Sequence, residues 1–132
     1  MKTRHHKLAT LVAVFAVAIT GIAVADGLSR QEEKRINVIL AYLEEMKDSQ
    51  FIRNGKSYDS STAVAFLRKK WSAHRAAVTN AETFVSEIAT KSATTGEPYK
   101  LRLPDGSETN CAALLSKVLA ITKMNQPEQP PP

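Results

Sequence analysis

Lys70 and His74 stand one helical turn apart and share a narrow arc with Ala63 and Leu67. Two ionisable groups on an otherwise apolar face can form a perturbed pair, because burial moves the pKa of a cation toward neutrality. With the phenol of Tyr99 beside them they would line a cleft suited to hydrolysis or group transfer. The competing expectation, which we favour, is structural. Lys70 carries its aliphatic stem past the edge of the core, and His74 sits at the helix end, where a cation meets the carbonyl end of the dipole. An enzyme is therefore not the favoured reading.

The chain has a single cysteine, Cys111, so no intrachain disulfide can form. Cys111 falls on an apolar face with Leu114, Leu115 and Val118, which predicts a buried, inert free thiol. The sharper alternative places it close enough to a helix start for its pKa to fall, giving a redox-linked dimer. His5 and His6 belong to the leader described below, which leaves His74 alone. A zinc site needs three or four ligands, so neither a metal nor a cofactor is expected. No Gly-rich phosphate loop, nucleophile elbow or paired-His motif is present.

These residues must be positioned by short elements. Ser29 with Glu32 has the form of a capping box, followed by Ile36, Ile39, Leu40 and Leu43 at helical spacing to about Lys47. Asn54-Gly55, flanked by Phe51 and Tyr58, predicts a tight hairpin, since both central residues of a type I′ turn need positive φ. Asp59 or Ser60 caps a second helix through about Arg75, with Ala63, Phe66, Leu67 and Trp71 inside. Thr79 with Glu82 predicts another capping box, and that is a sufficient role for Glu82. The third helix shows Ala81, Phe84, Val85 and Ile88 and fades at Thr94-Thr95-Gly96. In the loop from Thr95 to Tyr99, Gly96 and Pro98 have plain conformational roles. Tyr99 to Leu103 alternates as a half-buried strand does. Pro104-Asp105-Gly106 turns the chain, and a last helix starts near Asn110 or Cys111. The fold class is α+β and mainly helical: about four helices, a short hairpin and one or two further short strands.

Ahead of this domain lies a different composition. Lys2, Arg4 and Lys7 precede an apolar run from Leu8 to Val24, and Ala23-Val24-Ala25 has the small-x-small pattern of a cleavage site. The expectation is a signal peptide over residues 1–25, cleaved after Ala25, and export to the periplasm. A single domain over 26–124 and a Pro-rich disordered tail over 125–132 would follow. Three of the 18 Lys and Arg residues leave with the leader and none of the 13 Asp and Glu, so the net charge falls from +5 to +2. That small excess argues against nucleic acid as a partner. The membrane is met only through the signal during export.

The domain resembles the YfeK-like family, small exported bacterial proteins whose function is unknown. The likeness is carried by Phe51-Ile52-Arg53-Asn54-Gly55, Phe66-Leu67-Arg68-Lys69-Lys70-Trp71, Ala81-Glu82-Thr83-Phe84-Val85 and Thr95-Gly96-Glu97-Pro98-Tyr99, in that order. It spans Leu28 to Leu119 and implies export and a shared fold but no reaction. Family members often carry His where this chain has Phe66, so no role of that His transfers. The expected function is a non-enzymatic binding or accessory protein of the cell envelope, with an envelope protein or a cell-wall component as partner. The first surface to probe is Arg68-Lys69-Lys70 with Arg75, beside Trp71. The alternative is the small hydrolase or transferase around Lys70, His74 and Tyr99.

Overall fold

A computed structural model describes residues 27–125. The leader, its cleavage point and the Pro-rich segment from residue 126 lie outside the described residues. The first helix, α1 (Arg30–Glu45), starts at Ser29, whose hydroxyl accepts from the Glu32 amide. Only half of the expected capping box forms. The Glu32 carboxylate does not return to the Ser29 amide; it accepts from the Ala81 amide at 2.8 Å and from Arg35 of its own helix. Ile36, Ile39, Leu40 and Leu43 are fully buried, each worth roughly 1.5–3 kcal/mol of transfer free energy.

The chain then forms a hairpin, β1 (Gln50–Arg53) and β2 (Lys56–Tyr58). Its turn residues Asn54 and Gly55 both have positive φ, 51° and 76°, as a type I′ turn requires. Asp59 caps α2 (Ser60–Ala73) by accepting from the Thr62 amide. That helix ends at Ala73, and one turn of 3-10 helix, Arg75–Ala77, carries the chain on. The cap of α3 (Ala81–Glu87) is Asn80 with Thr83, one residue later than the expected Thr79–Glu82 pair. Asn80 has the better side chain for accepting the Thr83 amide, and the Thr83 hydroxyl answers the Asn80 amide.

The third helix is also shorter than its apolar periodicity suggested. It stops at Glu87, and Gly96, at φ 74°, lies in a separate turn closed by bonds from the Gly96 amide to the Ser92 carbonyl and from the Ser92 amide to the Glu97 carbonyl. Next comes a second hairpin, β3 (Lys100–Arg102) and β4 (Glu108–Asn110), around the predicted Pro-Asp-Gly turn. The last helix, α4 (Cys111–Met124), follows β4 directly.

The strands make one antiparallel sheet in the order β2-β1-β3-β4. Register puts Tyr58, Phe51, Leu101 and Thr109 in one row across it. Phe51 and Leu101 in that row are buried with the helices, so this is the inner face. Since side chains alternate, Arg53 shares the face of Phe51 and points inward. The outer face carries Gln50, Arg102 and Glu108 in register, and Arg102 pairs with Glu108 at 3.0 Å. The helices form the rest of the core, where Trp71 meets Phe84 edge-on at 5.4 Å. This is the mainly helical α+β fold expected. No helix among the described residues is long and apolar enough to cross a membrane.

Candidate functional site

The inner face of the first hairpin meets α2 through aromatic rings. Phe51 lies 5.1 Å from Tyr99 and 6.4 Å from Phe66, ring centre to ring centre, and Phe66 stands edge-on to Tyr99 at 5.9 Å. Two cations lie on this cluster. The Arg53 guanidinium sits 4.1 Å from the centre of the Phe66 ring, and the Lys70 ammonium 4.8 Å from that of Tyr99. Such contacts hold a cation against an aromatic face through the ring quadrupole. Beside them a pocket of about 170 Å³ opens between hairpin and helix, lined by Phe51, Arg53, Tyr58, Thr62, Ala63 and Phe66.

Lys70 donates to the Tyr99 phenol at 3.0 Å and to the Lys91 carbonyl at 2.7 Å. Burial, and after it the charge of Arg53, holds the Lys70 ammonium below its ordinary pKa. Burial pushes the Tyr99 phenol up, partly offset by Arg53. So the phenol stays neutral at neutral pH, and the half-buried Lys70 amine donates to two described groups.

The sequence-predicted residues divide. Lys70 and Tyr99 meet. His74 does not join them: it is the exposed C-cap of α2, and its only described bonds are of its backbone. The cleft of three converging polar tips is therefore not formed. The physical reason is the helix end: after Ala73 the chain leaves the arc that Lys70 and His74 would have shared. Nor is the basic stretch one surface. Arg68 reaches sideways to the Asn37 side-chain oxygen Oδ1 at 2.9 Å, Lys69 is exposed, and Lys70 turns inward. Trp71 is buried and only 5% exposed, with the Arg75 guanidinium 5.3 Å above its ring.

Glu82 has a different role from the one expected. It takes a two-pronged ion pair from Arg35, at 2.7 and 3.2 Å, and Arg35 also binds Glu32. Arg35 is only 7% exposed and ties α1 to the start of α3. Its hydrogen bond holds the Glu82 carboxyl below the usual carboxylate range. Cys111 is fully buried, and burial pushes its thiol up to about 12. The lowered pKa that a reactive thiol needs is thus not there. Among the described residues no group of three or more His, Cys, Asp and Glu could hold a metal ion.

Arg53 is the site residue that sequence reasoning passed over. A signal was present, since strand alternation puts it on the face of Phe51. Yet a charged residue beside an Asn-Gly turn reads as solvent-facing until the opposing helix is known.

With this geometry the chain can be placed. It belongs to a family of unknown function, DUF5329, whose model matches residues 30–123. A relative in Salmonella typhimurium, "Uncharacterized protein YfeK", is 39% identical over 87 residues, covering 66% of this chain and 72% of the relative. No solved structure matches the chain.

Proposed function

We propose that this chain is exported to the periplasm and works there as a non-enzymatic binding domain of the cell envelope. Its ligand sits in the pocket between the first hairpin and α2. The observation that carries the binding reading is the Arg53 guanidinium. It lies over Phe66 at the wall of an open apolar pocket, with no carboxylate in ion-pair range among the described residues. A concave apolar site with a few placed polar groups is the usual form of a small-ligand site. Support for export comes from the basic start, the apolar run and Ala23-Val24-Ala25.

Two experiments test the two halves. Mass measurement of the protein recovered from the periplasmic fraction should give a chain beginning at Asp26; an uncut chain confined to the cytoplasm defeats the export reading. A nuclear magnetic resonance screen of small fragments should move the amide signals of Arg53, Tyr58 and Phe66 together. If every hit falls elsewhere, the pocket is not the binding site.

The hydrolase or transferase alternative has one observation in its favour, the hydrogen bond from Lys70 to Tyr99. Against it, Tyr99 is 1% exposed and His74 stands apart. A general base has to come within hydrogen-bond reach of the proton it takes, and no described histidine does so here.

A further inference from the structure

The cations around the pocket are unbalanced. Arg53 faces Lys56 directly across the hairpin register, and its charge also bears on Lys70. Like charges placed opposite one another on a sheet are destabilising. The three ion pairs among the described residues are Arg35 with Glu32, Arg35 with Glu82 and Arg102 with Glu108, so none relieves this cluster.

The remaining walls are mostly apolar: Phe51, Tyr58, Ala63 and Phe66, with Thr62 as the further polar side chain. The pocket measures about 170 Å³, and an apolar cavity on the order of 150 Å³ is large enough to hold benzene. A guanidinium has the planar fork that matches a carboxylate with two parallel hydrogen bonds. With one guanidinium on the wall, a singly charged acid suits the site better than a phosphate dianion.

We infer that the pocket takes a small monocarboxylate whose body is one aromatic ring or a chain of about six carbons. The carboxylate lies on the Arg53 fork and the body against Phe51, Tyr58 and Phe66. The inference rests on the pocket being the binding site proposed above and adds the chemical class of what binds. Anion binding also relieves the repulsion among Arg53, Lys56 and Lys70.

The test uses the full-length protein, labelled with nitrogen-15, and three probes at matched ionic strength: benzoate, benzamide and acetate. Benzoate should move the amide signals of Arg53, Tyr58, Thr62 and Phe66 saturably. Benzamide, with the same ring and no charge, should bind at least about tenfold more weakly, because the charge-assisted hydrogen bonds to the guanidinium are lost. Acetate, with no body, should also be weak. Arg53→Gln should bring benzoate down to the level of benzamide while the rest of the spectrum keeps its folded pattern. Benzamide binding as tightly as benzoate would overturn the carboxylate assignment and leave the pocket standing as a site. So would pocket binding by other fragments while benzoate fails. Shifts scattered over surface lysines would overturn it as well. If no compound of any class moves the pocket signals, the binding reading itself falls.

Discussion

Arg35 shows how much one side chain can decide. It is nearly buried, it grips Glu82 with both prongs and it holds Glu32, which itself accepts from the start of α3. Replacing Arg35 by Ala removes charge-assisted bonds and leaves two carboxylates facing each other. Since Glu82 is 53% exposed, part of that cost is screened by water, and a loss of about 1–3 kcal/mol is expected. A urea unfolding midpoint unchanged from wild type would show the network to be ornamental. The same bond gives a pH dependence. Glu82 has a lowered folded pKa, so its stabilisation is present above the ordinary value of 4.5 and is lost as pH falls through the lowered one. Glu82→Gln should flatten the acid limb of stability against pH; an unaltered limb would assign it to other carboxylates. For Cys111 the sign is opposite. Above its ordinary value of 9.0 only the unfolded chain's thiol ionises, so this group lowers stability as pH rises toward about 12. A thiol reagent at neutral pH should leave the native protein unlabelled and label it fully in denaturant. Labelling of native protein at the rate of a free peptide would refute the burial.

At the scale of elements, the hairpin turn is set by backbone conformation alone. A Cβ added at Gly55 would meet nothing within 4 Å, yet φ there is +76°. Gly55→Ala should therefore cost about 1–2 kcal/mol from the left-handed backbone alone. Chemical denaturation measures this, and a neutral result would mean the turn has relaxed to another type. Asn54 also accepts from the Thr95 hydroxyl at 2.5 Å, so the turn is pinned to the loop after α3. Elements governed by local rules were legible in the sequence: the Asn-Gly turn, the Ser29 and Asp59 caps, the apolar stripe of α1 and the alternation of Tyr99 to Leu103. Two outcomes depended on long-range partners and were not: Glu32 gave its carboxylate to Ala81 as well as to Arg35 instead of to the Ser29 amide, and β4 formed from Glu-Thr-Asn because β3 offered an edge. The end of α3 at Glu87, short of its apolar pattern, was not legible either. Glu108 to Asn110 has no hydrophobic alternation to announce a strand.

The whole molecule joins a helical core to a four-stranded sheet, and the candidate site lies where the two meet. That location explains why the site was only partly readable. Lys70 and Tyr99 each carried a local signal, being polar groups in apolar patterns, and the structure brings them together at 3.0 Å. Arg53 carried only its place on the face of Phe51, which reads as solvent-facing because its partner Phe66 comes from another element. His74 looked like a third member because the helix pattern was extended past Ala73, where the helix in fact ends. The central claim is that Arg53 is the anion-receiving group of a binding pocket. The measurement closest to it is the benzoate dissociation constant of Arg53→Gln beside that of the unaltered chain, both read from the Tyr58 and Phe66 amides. The account predicts saturable binding to the unaltered chain and at least about tenfold weaker binding to Arg53→Gln. Equal affinity of the two chains for benzoate, with both folded, would contradict it.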